Sequence, residues 1–119
     1  MTTLIGNSQV VSNDTFLQNT TYKIRATGKY FLIFCCTSSL PGDMTVSYQI
    51  CRNKAPIEGA FSQCASAQTD RQPFIFPTNI SIVTRLLQND ILSIKVKIIS
   101  GIPSDSIEIL NTIFNILEL

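Results

Sequence analysis

Apolar and polar residues alternate along most of this chain with a period of two. Every second residue of Met44–Ile50 is apolar, and Tyr22–Ala26 sets Tyr22, Ile24 and Ala26 against Lys23 and Arg25. Ile91–Ile98 aligns Leu92, Ile94, Val96 and Ile98 opposite Ser93, Lys95 and Lys97, and Asn79–Leu86 aligns Ile80, Ile82 and Leu86. Successive side chains of a strand point to opposite faces, so the pattern predicts half-buried β-strands. Weaker strands are expected at Leu4–Val11 and Ile57–Cys64. Over Ile107–Leu119 the spacing of Ile109, Ile113, Ile116 and Leu117 would also suit an amphipathic helix, but β-branched content and scarce charge favour a strand.

One run breaks the alternation. In Tyr30–Cys36, Tyr30, Leu32, Phe34 and Cys36 point one way while Phe31, Ile33 and Cys35 point the other, and both sets are apolar. A small antiparallel sandwich buries only one of those faces within itself. The second face requires a partner, and the chain is therefore expected to assemble.

Turn residues punctuate these runs at Thr27–Gly28, Ser38–Asp43, Cys51–Pro56, Gln88–Asp90 and Gly101–Asp105. Strands at this spacing read as an all-β sandwich. Ser62–Gln72, small and polar, is expected to form the longest loop. The 119 residues suffice for one domain with its own core. Residues 15–119 are taken as the sandwich, and residues 1–14 as an N-terminal segment serving as an edge strand or one exchanged with a neighbour.

Composition sharpens the expectation of assembly. Charged residues make up 14% of the chain, well below the soluble-domain norm of about 25%, while the hydrophobic fraction of 45% is ordinary. The missing charge comes off the surface, as suits a subunit with much of that surface in contacts. A net charge of +1, with no cationic run longer than Lys95-Val-Lys97, leaves no linear footprint for nucleic acid or an anionic membrane. No stretch approaches the roughly 20 apolar residues of a membrane helix, so no membrane insertion is expected. The N-terminal residues do not resemble a signal peptide. That composition fits a protein deposited without secretion, on a spore, phage or virion surface or in an extracellular appendage.

Candidate chemistry is sparse. The chain has no histidine, which removes the commonest general base and metal ligand together. Neither a catalytic constellation nor a cofactor motif is present, and the expectation is a protein that is not an enzyme and holds no cofactor or metal. Asp43 and Asp90 fall in turns, where Asp is at home without any calcium. Of the four cysteines, adjacent Cys35 and Cys36 must face opposite sides of a strand. The set Cys35, Cys36, Cys51 and Cys64 reads either as buried thiols or as disulfide partners, within or between subunits. Sequons at Asn13, Asn19 and Asn79 are about what chance provides in a chain this rich in Ser and Thr.

The order of these signals resembles a known family. Phe16-Leu-Gln-Asn followed by Thr27-Gly-Lys-Tyr-Phe31-Leu-Ile-Phe34 resembles the turn and aromatic strand of complement-type globular heads, which belong to the tumour-necrosis-factor-like jelly rolls. Val46-Ser-Tyr-Gln-Ile50-Cys-Arg-Asn53 resembles their next strand and turn. Ile82-Val-Thr-Arg-Leu86-Leu-Gln-Asn-Asp90-Ile-Leu-Ser-Ile94 resembles their "Leu-x-x-Gly-Asp" hairpin, with Asn89 in place of the usual glycine. Thr112-Ile-Phe-Asn-Ile-Leu117 resembles the closing strand. The likeness runs from Thr15 to the end of the chain, and bacterial relatives of this type cap spore hairs and phage fibres.

The resemblance implies an all-β antiparallel jelly-roll sandwich of about 8–10 strands, acting as a structural or recognition head. It further implies that Tyr30–Cys36, Ile91–Ile98 and Thr112–Leu119 share an inner sheet packed around a three-fold axis. The subunit interface is then expected at Tyr30, Leu32, Phe34, Phe114, Ile116 and Leu117. Any glycan or protein ligand would meet the loops around Ser38–Asp43 and Ser62–Gln72. The alternative is a polymerising fibre or capsid subunit joined by N-terminal strand exchange, with or without disulfides between subunits.

Overall fold

Ten antiparallel strands build the molecule, in a computed structural model that describes residues 1–66, 74–100 and 106–119. They are β1 (Thr2–Gly6), β2 (Gln9–Val11), β3 (Thr15–Phe16), β4 (Tyr22–Lys23), β5 (Gly28–Leu40), β6 (Met44–Arg52), β7 (Ala55–Ser66), β8 (Phe74–Leu86), β9 (Ile91–Ser100) and β10 (Ile107–Glu118). One sheet has the order β1-β10-β5-β8, with β2 also on β10. The other has the order β3-β9-β6-β7, with β4 also on β9. The two sheets face each other as a jelly-roll sandwich of 48 × 22 × 19 Å, and the long strands run its length.

The core follows the alternation. Even positions of β5, β6, β8 and β9 point inward, and Phe34, Tyr48, Leu86, Leu92 and Ile94 are each fully buried. Phe34 sits at the centre, edge-on to Phe114 at 6.1 Å and tilted against Tyr48 at 6.5 Å. These are favourable aromatic geometries beyond simple burial. The segment Ile107–Glu118 is a strand, as its β-branched content indicated. An irregularity between Ile109 and Asn111 in its pairing with β5 switches the inward parity from odd to even, which explains its imperfect alternation.

Several expectations change. The strand that carries the two-faced run is thirteen residues long rather than seven, and the turn expected from Ser38 starts only after Leu40, because Ser38 and Ser39 still pair with Phe76 and Ile75. The loop expected over Ser62–Gln72 begins later: Ser62–Ser66 belong to β7, and the remainder, like the turn at Gly101–Asp105, lies outside the described residues. Ile91–Ile98 is not in the sheet of β5 and β10. β9 pairs with β6 in the opposite sheet, which is why Lys95 and Lys97 can face solvent. The N-terminal segment supplies β1 and β2, both paired to β10 along one edge.

Local chemistry fixes the turns at one end of the sandwich. Asn53 and Lys54 both have positive φ (53° and 69°), the geometry of a tight turn that suits a right-twisted hairpin. Asn89, at φ 73°, does the work of the glycine it replaces, since Asn tolerates this region better than most residues. Asp90 ties the turns together. Its carboxylate accepts the Leu87 N–H at 2.8 Å and the Asn53 side-chain amide at 3.0 Å, and it pairs with Arg52 at 3.1 Å. Asn53 in turn accepts the Ile91 N–H at 2.9 Å. The Leu87 N–H, then Asn53 and Arg52, hold the Asp90 carboxyl below the usual carboxylate range.

Candidate assembly face

The side of β5 that does not enter the core presents Phe31, Ile33 and Cys35, each half-buried. Register extends this side into rows across the sheet. Leu117, Phe31 and Val83 form one row; Thr3, Asn115, Ile33 and Ser81 form the next; Ile5, Ile113, Cys35 and Asn79 form a third. Ile5, Val83, Ile113 and Leu117 are 69%, 50%, 40% and 38% exposed, large values for apolar side chains. Among the described residues charge appears only at the two ends of this face, at Lys29 and Arg85 on one side and Glu108 on the other. Between them lies an uncharged apolar surface relieved by small amides and hydroxyls, of which Thr3 donates to Asn115 at 2.7 Å.

Five of the six residues expected at the interface lie elsewhere. Tyr30, Leu32, Phe34, Phe114 and Ile116 are at most 4% exposed and form the intramolecular core; only Leu117 faces outward. The physical reason is parity. When both faces of a strand are apolar, alternation separates two sets without saying which meets the opposite sheet. The side chains available for assembly are the complementary set: Phe31, Ile33, Cys35, Val83, Ile113 and Leu117.

All four cysteines are free, and they point to three different places. Cys35 lies on the apolar outward face, Cys51 is buried beside Ser93 on the outward side of the other sheet, and Cys36 and Cys64 face the core. Cys36 and Cys64 belong to a polar spot between the sheets with Ser38, Tyr48 and Thr78. The Tyr48 and Thr78 hydroxyls are buried there without a protein partner that meets hydrogen-bond geometry. Burial pushes the Cys36 thiol up to about 12, and it raises Cys64 and Tyr48 as well. Burial thus favours the protonated form of these interior thiols.

Asp43 and Asp90 occupy turns at opposite ends of the 48 Å sandwich, which separates them too far to share a calcium ion. Among the described residues no three His, Cys, Asp or Glu side chains gather as metal ligands.

Neither a protein-family model nor a curated protein matches the sequence. Comparison of folds is informative. The chain is similar to the structure of Eiger TNF from S. frugiperda, with a TM-score of 0.70 over 98% of this chain and 91% of that one, at 16% identity. The fold is therefore a tumour-necrosis-factor-like jelly roll. The likeness supports the tumour-necrosis-factor-like fold that the motifs suggested, and it extends to the fold alone.

Proposed function

We propose that this protein is a non-enzymatic jelly-roll head that self-associates as a homotrimer through the outward face of the β1-β10-β5-β8 sheet. The observation that carries the reading is the uncharged, apolar second face of a fully formed sandwich. A core that is already closed leaves Phe31, Ile33, Val83, Ile113 and Leu117 only partly covered among the described residues. Covering them with copies of the same face stabilises association at about 25 cal/mol per Å² of apolar area removed from water. The low overall charge and the similarity to a tumour-necrosis-factor fold support the same conclusion.

Self-association also gives Cys35 a role distinct from its neighbours, as the one thiol on the associating face. A bridge between subunits at this position is part of the proposal for a particle in an oxidising environment. Placement on a spore, phage or virion surface is the setting the sequence favours.

Native mass, measured by mass spectrometry or light scattering with and without reductant, tests the reading. A mass of about three subunits supports it, and a monomer across the micromolar range overturns it. Open-ended polymers that dissolve when residues 2–12 are deleted would favour strand exchange through β1 instead.

A further inference from the structure

Linear sequence disperses the cations, but the fold does not. β5 begins at the end of the sandwich where β6, β8 and β10 finish and where β7 and β9 begin. Four separate segments therefore deliver Lys23 and Arg25, Lys29, Arg52 and Lys54, and Arg85 to that one end. They are six of the nine Lys and Arg residues in the chain. Backbone bonds hold the segments together: Ile24 N–H to Asp90 O at 2.8 Å, Asn89 N–H to Ile24 O at 2.8 Å, and Asn53 N–H to Ile91 O at 2.8 Å. Register sets Lys29 directly opposite Arg85.

The acids at this end do not cancel the cations. Asp90 is buried and engaged by Arg52, Asn53 and the Leu87 N–H, which leaves exposed Glu58 and Glu118 against exposed Lys23, Arg25, Lys29, Lys54 and Arg85. Six cations less three acids give a formal +3 here, although the whole chain carries only +1. Among the described residues the opposite end presents Asp43 and Glu108, while Lys95 and Lys97 lie part-way along β9. The molecule is polarised along its long axis.

Two clefts open at the basic end. One, of about 450 Å³, is lined by Thr21, Lys23, Arg25, Gln88 and Asn89 among others. The second, of about 460 Å³, is lined by Arg52, Asn53, Ile57, Glu58 and Thr84 among others. Both fall within the size range of ligand clefts, and their walls mix hydroxyls, amides and charged groups with apolar ones such as Ile24, Pro56 and Ile57.

We infer that this basic end binds an anionic polysaccharide. Its amides and hydroxyls match sugar hydroxyls, and its cations match sulfate or carboxylate groups. Nucleic acid fits less well, because among the described residues Tyr22 is the only aromatic ring lining either cleft and offers no series of stacking platforms. The site lies at the opposite end from the Pro41–Asp43 turn, one of the loops where ligand contacts were expected. It belongs to each subunit and does not depend on the trimer, although a trimer with its axis along the strands would present three such ends together.

The test is retention on immobilised heparin and titration with a heparin oligosaccharide at 50–300 mM NaCl, with native mass recorded on the same sample. Binding should weaken steeply with salt. Replacing Lys23 and Arg25 together by Ala should weaken it about tenfold, the combined effect of losing two surface charges. Lys97→Ala, remote from the clefts, should change it by less than twofold. Absence of binding at 50 mM NaCl overturns the proposal, as does equal weakening by Lys97→Ala. Equal binding of a neutral polysaccharide such as dextran, or tighter binding to a single-stranded oligonucleotide or to phosphatidylserine vesicles, also overturns it. Because mass and binding are read separately, a monomer that binds heparin would overturn only the trimer, and a trimer that does not bind would overturn only the site.

Discussion

The two sheets of this sandwich bury similar inner faces and show solvent very different outer ones. Outside the β9-β6-β7 sheet, Phe16, Lys95, Gln49 and Phe61 share a row, with Lys97, Ser47 and Gln63 beside it. Lys95 pairs with Asp14 at 2.9 Å and lies 5.7 Å from the centre of the Phe16 ring. Its aromatic surface is thus interleaved with charge and amide. Outside the β1-β10-β5-β8 sheet, the middle of the face has no charge at all, and its polar groups are small. The first face interleaves its apolar groups with charge; the second does not. Apolar area alone would not separate them, since scattered surface hydrophobes are ordinary, but contiguity without charge does.

The sharpest way to break this contrast is to put a charge on each face in turn. Ile33→Lys places an ammonium at the centre of the uncharged face, and burying it unpaired costs several kcal/mol at an interface. The expected outcome is a fall in native mass to one subunit at micromolar concentration. Gln49→Lys, its counterpart on the other sheet, should leave the mass unchanged. Dissociation by both substitutions would erase the distinction between the faces.

The next test contrasts the two sides of β5. Phe34→Ala, on the inward side, should destabilise the fold by about 3–5 kcal/mol. Thermal denaturation should show that loss at every protein concentration, because the contact is within one chain. Ile33→Ala, on the outward side, should lower the melting temperature in a concentration-dependent manner, as expected when association stabilises the folded state.

Acid sensitivity separates the sheets in a third way. The turns of the charged sheet are tied by Asp90, whose carboxyl is held low by the Leu87 N–H, Asn53 and Arg52. A depressed folded-state value means that stability from this group is fully present above its unfolded value of about 3.9 and lost as pH falls through the folded value. Asp90→Asn should therefore destabilise the protein at pH 7 by about 1–3 kcal/mol, with less effect near pH 2. A chemical-denaturation series across pH measures the difference. Equal destabilisation at both pH values would remove charge from the account of this turn.

The smallest effect has the opposite sign. The Tyr48 hydroxyl, on the inner face of β6, is buried without a protein partner. Tyr48→Phe should stabilise the fold by about 1 kcal/mol by removing a desolvated group that gains nothing in return. Destabilisation in urea unfolding would show instead that the hydroxyl is satisfied within the polar spot around Thr78 and Cys64.

Much of the fold was legible in the chain because a period of two is a strong signal wherever one face is wet. Leu92, Ile94, Val96 and Ile98 were assigned inward by that signal, and they are buried. The signal fails where neither face is wet. Along Tyr30–Cys36 it indicated that a second face needs covering, but the interface was expected on the large aromatics, which instead fill the core. β9 was expected beside β5 and β10, although its own Lys95 and Lys97 pointed to the sheet with the solvated exterior. The Asp90 cluster could not be read, since its partners Arg52 and Asn53 are far away in sequence.

What the sequence determined by itself was local: which residues are extended, where the chain turns, and that one strand has no hydrophilic side. These properties depend on neighbours one or two positions away, so a linear pattern carries them. Only the tertiary structure decided which side of β5 remains free, and that six cations separated by up to 62 positions in the chain gather at one end. Those outcomes are set by register and by which strand ends meet, and both are fixed by packing between segments distant in the chain.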